Sequence, residues 1–307
     1  MNLKHVVTLC FVSFMPFTKR IFILTTMALA VIGSQGFGQD DLPAIKGPYI
    51  GQKPPGSNPE AFAPGIVSTE LFEYSGVFTP DMKEFYFIKE DDFFVFQYQN
   101  KRWIESYISR RVGQPFIAPD GKTMHLGVRY KERTETGWSD IKKLGPSFLA
   151  LEIMRLTASL KGTYVFDEIG SDDGDGVIRY SRLIDGKREE PKPFGKEINT
   201  GKFNAHPFIA PDESYLIFDG RRESGYGHSD LYISYRQPDG SWGDAINMGG
   251  TVNTEVGEIS ASVTPDGKFL FFHRNQGEGK GNMNIMWVDA QIIETLRPKG
   301  QSPINHN

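Results

Sequence analysis

The chain has 307 residues, 39% apolar and 23% charged, with a net charge of −4. That composition fills a globular core, and its acidic balance argues against a nucleic-acid partner, whose phosphates call for clustered excess Lys and Arg. The single cysteine, Cys10, lies near the N-terminus, so the remaining chain has no disulfide, no cysteine nucleophile and no thiolate metal site.

Residues 1–38 read as a secretory signal peptide. Lys19-Arg20 precedes an apolar run from Ile21 to Gly33, followed by small and polar residues. The run is shorter than the ~20 residues of a spanning helix. Either Met1 or Met15 can be the start, because Met15 to Gly38 already forms a complete signal. The first 38 residues hold three basic residues and no acid, so the mature chain carries −7. An exported chain, periplasmic or secreted, with no membrane span after cleavage is expected.

Residues 39–60 are rich in Pro and Gly and read as an extended lead-in. From there the sequence repeats a strand, a Pro-Asp turn and a more apolar strand. Strong copies centre on Thr79-Pro80-Asp81, Ala118-Pro119-Asp120, Ala210-Pro211-Asp212 and Thr264-Pro265-Asp266, and a degenerate copy on Ser159-Leu160-Lys161-Gly162. Pro presets the first turn position, Asp bonds its own backbone, and Gly takes the left-handed position that follows. The anchors are spaced by 39, 41, 51 and 54 residues. Periods of this size, with several strands each, indicate a propeller or solenoid.

Third strands follow at Phe93–Phe96, Val177–Ser181, Asp230–Ser234 and Asn284–Val288, while the second unit lacks room for a full one. Fourth strands are expected to start at turns carrying Trp103, Trp138 and Trp242. The last unit stops after its third strand, before a short helix from Ala290 to Leu296 with Asp289 as N-cap. Its fourth strand is expected from Glu60 to Ser68, which closes the ring and removes a free sheet edge. The fold class is therefore all-β: a β-propeller of four-stranded blades over residues 61–297, five blades with six as the alternative, and a disordered tail at 298–307.

The motifs Ala118-Pro119-Asp120-Gly121-Lys122, Ser229-Asp230-Leu231-Tyr232 and Thr264-Pro265-Asp266-Gly267-Lys268 resemble the PD40, or WD40-like, repeats of TolB-like β-propellers. The resemblance covers about Phe62 to Leu296. It implies a propeller and, by analogy with TolB, a periplasmic protein-binding role. Relatives of the fold include peptidases and sugar-processing enzymes, so function has to come from a site.

Five residues before each anchor stand Ser75, Gln114, Arg155, His206 and Ser260, all polar in otherwise apolar strands. Two further back are Glu73, Asn204 and Glu258. Second-strand ends add Arg129, Asp167, Glu168, Arg221, Arg222, His273 and Arg274. These residues would form a channel mouth for a small anionic or saccharide ligand, since the planar Arg fork suits carboxylates. The candidate ligand-binding set is Glu73, Gln114, Arg155, Asn204, His206, Arg221, Glu258, His273 and Arg274; solvated strand ends are the competing reading. No metal or cofactor is expected. The histidines lack ligand spacing, and Ser171 to Gly176 has Arg182 where the last acid of a calcium loop belongs. No nucleophile elbow or phosphate loop is present. The sequence points to a monomeric, non-catalytic binding or scaffold protein of the cell envelope, with an envelope protein or small ligand as partner. An enzyme acting on uronate-type sugars through the Arg/His/Glu funnel is the alternative.

Overall fold

The structure, a computed structural model, describes residues 44–169, 176–275 and 283–299. The signal-peptide reading lies outside these residues, as do 300–307 of the expected tail. Five antiparallel blades form the propeller.

Strand β1 (Glu60–Ala61) precedes blade 1, which comprises β2 (Glu73–Phe78), β3 (Glu84–Lys89), β4 (Asp92–Gln99) and β5 (Arg102–Arg110). Blade 2 holds β6 (Pro115–Ile117), β7 (Thr123–Leu126), β8 (Arg129–Thr134) and β10 (Lys142–Lys143), with β9 (Gly137–Trp138) folded back on β8. After α1 (Pro146–Leu149) comes blade 3, with β11 (Leu156–Ala158), β12 (Tyr164–Glu168), β13 (Val177–Ser181) and β16 (Lys192–Pro193). Its strands β14 (Leu183–Ile184) and β15 (Lys187–Arg188) form a separate small hairpin. Blade 4 is β17 (Lys202–Ile209), β18 (Tyr215–Arg221), β19 (Asp230–Tyr235) and β20 (Ile246–Asn247). Blade 5 is β21 (Glu258–Val263), β22 (Phe269–Asn275) and β23 (Met283–Asp289), followed by α2 (Gln291–Thr295).

The ring closes from the expected segment, although only Glu60–Ala61 of the expected Glu60 to Ser68 strand joins the sheet. Glu60 and Ala61 pair with Trp287 and Met286, so β1 is the fourth strand of blade 5. Next in the chain, Phe62 is fully buried and packs its ring against Phe78, Phe85, Phe271 and Trp287. One residue thus joins the faces of blades 1 and 5. The second strands are buried on both sides, which is why Phe85–Ile88 and Phe269–Phe272 are continuous apolar runs rather than alternating ones.

All five turns share one geometry. The fourth turn residue donates its N–H back to the first: Met82 to Thr79, Gly121 to Ala118, Gly162 to Ser159, Glu213 to Ala210 and Gly267 to Thr264. That fourth residue is left-handed in every case, with φ between 57° and 79°. The aspartates at the third position accept the amides of Lys83, Lys122, Ser214 and Lys268. The five anchors surround an apolar well of about 260 Å³ at one end of the channel, with Phe116 and Phe208 in its wall.

Three expectations need correction. Blade 2 does have a full third strand, β8; its polar sequence Arg-Tyr-Lys-Glu-Arg-Thr hides it from an apolar pattern. The tryptophans do not begin fourth strands in blades 2 and 4: Trp138 pairs back onto Arg133, and Trp242 bridges to Arg236. The outer strands there are two-residue pieces further along, β10 and β20. Finally, Ala290 rather than Asp289 is the N-cap of α2, although the Asp289 carboxylate still accepts the Gln291 amide at 2.8 Å.

Candidate functional site: the polar end of the channel

The residues five before each anchor lie within or just before the innermost strands, toward the end of the channel opposite the Pro turns. In three blades the position is a β-bulge. Ser75, His206 and Ser260 have φ of 56°, 45° and 55°, and the first-to-second strand register shifts beside each. A left-handed non-glycine residue is unfavourable by about 1–2 kcal/mol, so it has to be held in place. The bulge turns the amide out of its own ladder and toward the preceding blade.

What receives that amide is the same structural position each time, eight residues past a Pro anchor or its equivalent in the shorter turn of blade 3. Asp167 of blade 3 accepts from His206 of blade 4 at 2.9 Å. Asp219 of blade 4 accepts from Ser260 of blade 5 at 2.8 Å. His273 of blade 5 accepts through Nε2 from Ser75 of blade 1 at 2.8 Å. Blades 1 and 2 carry Ile88 and Gly127 there. Gly127 has φ +66°, and a Cβ on it would lie 2.6 Å from the carbonyl oxygen of Ile153 in the connection to blade 3. A bare backbone thus takes the place of the side-chain link.

The acceptors are heavily engaged. Asp167 also takes the amides of Met154 and Arg155, both at 2.9 Å, and burial raises its pKa against the His206 charge and these bonds. Asp219 also holds His206, whose Nδ1 lies 3.0 and 3.1 Å from its two oxygens. Burial pulls the His206 pKa down, but the Asp219 charge and hydrogen bond outweigh it, and the net shift is upward. His273 is fixed in one tautomer. Its Nε2 accepts from Ser75, so Nδ1 carries the proton, and that N–H is buried without a partner. Burial, together with the charges of Arg155 and His206, holds His273 neutral, well below the usual pKa.

Arg155 completes the cluster. It is 4% exposed, and its Nε and Nη1 have no hydrogen-bond partner. Burial lowers its pKa to about 10 despite the Asp219 and Asp167 charges nearby. Gln114 reaches across the ring, its Oε1 accepting from the Ser260 hydroxyl at 3.2 Å.

The structure therefore divides the sequence-derived set. Gln114, Arg155, His206 and His273 belong to this cluster. Glu73 and Glu258 do not present free carboxylates. Each is fully buried and caps the loop before its own strand, Glu73 on the amide and hydroxyl of Thr69, Glu258 on those of Thr254 at 2.9 and 2.6 Å. Arg274 is spent on Glu258 at 2.8 Å and the Val252 carbonyl at 2.7 Å. Asn204 is buried beside Gly176, and Arg221 is exposed at the end of β18. Arg222 lies over the Tyr232 ring, and Glu168 pairs with Arg179. Sequence reasoning missed Asp219. Its signal was present: it stands eight residues after Pro211, as His273 stands eight after Pro265. Among the described residues no group of three or more His, Cys, Asp or Glu side chains has metal-site geometry, and the loop at 170–175 lies outside them.

No family model and no curated protein matches the chain. Among solved structures it is similar to TolB from Acinetobacter baumannii, at 14% identity over 70% of this chain and 54% of that one, TM-score 0.43. It thus spans about half of that TolB chain. It is similar to an α-L-arabinofuranosidase from Lactobacillus brevis at 12% identity, over 73% of this chain and 91% of that one, TM-score 0.49. A chain of a nidogen/laminin complex gives 12% identity, over 71% and 75% of the two chains, TM-score 0.44. These likenesses add nothing to the architecture already evident from the sheets. No helix of the described residues is long and apolar enough to cross a membrane. The chain is a five-bladed β-propeller.

Proposed function

We propose that this protein is a non-catalytic binding propeller of the cell envelope, whose small anionic ligand enters the polar end of the channel. One observation carries the reading: the buried Arg155 guanidinium with Nε and Nη1 unpartnered. A buried charge is stable only when paired and hydrogen-bonded. The carboxylates whose charges act on it, Asp167 and Asp219, accept hydrogen bonds from backbone amides and from His206 instead. The free N–H of His273 and the unpartnered Ser75 hydroxyl add donors of the same kind. A carboxylate on the ligand satisfies a planar fork in bidentate fashion. Export rests on the pattern of the first 38 residues.

The test is calorimetric titration with D-galacturonate of the wild type and of Arg155→Met. Saturable binding that the variant loses supports the reading; no saturable binding by the wild type overturns it for this ligand class. A second reading draws on His206, held by Asp219 as a general base would be. It requires turnover of a uronate-containing disaccharide that disappears in His206→Gln. Binding without turnover leaves the first reading standing.

A further inference from the structure

The five repeats are regular enough for departures from them to be read. The third turn position is Asp81, Asp120, Asp212 and Asp266 in four blades and Lys161 in blade 3. The same turn is one residue shorter: the Ser159 amide donates to the carbonyl of Thr163, four residues on, where the amides of Thr79, Ala118, Ala210 and Thr264 donate to a carbonyl five residues on. In the second strand, the position two past the turn-closing residue is Tyr86, Val165, Ile217 and Phe271, but His125 in blade 2. Blade 3 also carries the extra β14–β15 hairpin, which ends in Arg188.

These three departures meet. Lys161, His125 and Arg188 line one cavity of about 270 Å³ between blades 2 and 3, on the Pro-turn side of the ring. Arg188 is anchored there. Its Nη1 donates to the carbonyls of Gly162 and Ser181 at 2.6 and 2.8 Å, and its guanidinium lies 3.5 Å from the centre of the Tyr164 ring. His125 is 1% exposed, stands edge-on to the same Tyr164 ring at 5.0 Å, and has no hydrogen-bond partner for Nδ1. A repeat that keeps this position apolar in blades 3, 4 and 5 has placed a polar ring there and left its Nδ1 unsatisfied, which is unfavourable for a buried polar atom. The one acid on the wall, Asp120, already accepts the Lys122 amide, and the wall's net charge is positive.

We propose that this cavity between blades 2 and 3 is a second ligand site, for a small oxyanion held by Arg188, Lys161 and His125. Carboxylate and phosphate share the required chemistry, negative oxygens that accept from a fixed guanidinium, an ammonium and an imidazole N–H. The site is separate from the channel cluster and does not depend on the function proposed above. Its positive wall is a property of blade 3 alone, because the other four turns carry an acid in that place. Burial and the Arg188 charge keep His125 neutral in the empty cavity. An anion beside the ring favours its protonated form, so occupancy has a signature that simple packing lacks.

The experiment follows the His125 imidazole signals by NMR in the full-length protein during titration with inorganic phosphate and, separately, with acetate. Saturable movement of those signals and an upward shift of the His125 pKa are expected with at least one probe. Which probe binds more tightly identifies the oxyanion. Lys161→Asp, which restores the acid of the other turns at an exposed position, is expected to weaken binding about tenfold or more, the usual worth of a charged hydrogen bond. Arg155→Met is expected to leave it unchanged, which separates this site from the channel. His125 signals that do not respond to either anion, or a response unaltered in Lys161→Asp, overturn the proposal.

Discussion

The Asp167 carboxylate of blade 3 accepts the backbone amide of His206 in blade 4 at 2.9 Å, and it holds two amides of its own blade with its other oxygen. The contact is a structural bolt. It stabilises a left-handed His206, and the same bolt recurs from Asp219 to Ser260 and from His273 to Ser75. A polar belt of this kind explains why the inner strands begin with polar residues in an otherwise apolar ring.

Removing the bolt leaves three amides without an acceptor. Asp167→Ala is therefore expected to destabilise the fold by about 3 kcal/mol, since each buried unsatisfied group is unfavourable by about 1–3 kcal/mol and some admit water. Asp167→Asn retains one acceptor oxygen and is expected to lose less than half as much. Urea unfolding midpoints of the two variants measure both, and a loss under about 1 kcal/mol for the alanine variant would contradict the assignment.

That belt also marks what the sequence displays and what it conceals. The Pro-Asp turns are legible because turn chemistry is local: Pro, Asp and a left-handed residue act within four positions. The degenerate turn at Leu160 is legible too, since Gly162 keeps the left-handed position. The outer strands β10, β16 and β20 are not legible, being two-residue pieces, exposed in β10 and β16 and half-buried in β20, with no room for apolar alternation. The candidate site was half visible. Arg155, His206 and His273 stand out as polar residues in apolar strands. That Glu73 and Glu258 cap loops became evident only from the bonds to Thr69 and Thr254, although a Thr four residues before each acid is in the sequence.

The β4–β5 hairpin offers a gain in stability. Its two-residue loop, Asn100-Lys101, has φ of 50° and 62°, the mirror-image turn that matches strand twist. Lys101 is exposed and pays the left-handed penalty without compensation from packing. Lys101→Gly creates the favoured Asn-Gly pair and is expected to stabilise by about 0.5–1 kcal/mol, after allowing for the extra unfolded-state freedom of Gly. A thermal midpoint that stays level or falls contradicts this reading of the turn.

Ring closure rests on a short strand and one large side chain. Phe62 is fully buried among four aromatic rings from blades 1 and 5. Phe62→Ala is expected to lose about 3–5 kcal/mol, the range for a buried Phe that leaves a cavity. Phe62→Leu, which fills most of the volume, is expected to lose much less. Hydrogen exchange locates the effect: the amides of β1 and β23 should lose protection first, because they form the closing ladder. Uniform loss across all five blades would show that closure is not the weak point.

The buried histidines set a pH dependence whose sign can be worked out. In the folded chain burial, reinforced by the Arg188 charge, lowers His125 to about 3; in the unfolded chain a histidine takes its proton near 6.5. Between those values the unfolded state binds the proton and the folded state does not. Stability therefore falls as pH drops below about 6.5, by about 1.4 kcal/mol per pH unit for such a group, and is independent of this residue above it. His273, also lowered by burial, acts in the same sense. His206 acts in the opposite one: its pKa is raised, so its contribution is complete below about 6.5 and is lost as pH rises through the folded value. His125→Phe isolates one member. Phe occupies this strand position as Phe271 in blade 5, so the ring fits the repeat, and it does not titrate. Urea unfolding in phosphate-free buffer from pH 7.5 to pH 4.5 should show the variant losing less stability than the wild type below pH 6.5, the gap widening by about 1.4 kcal/mol per unit. Parallel curves would mean that His125 takes its proton in the folded state as readily as in the unfolded one, and would overturn a neutral ring packed between Tyr164 and Phe116.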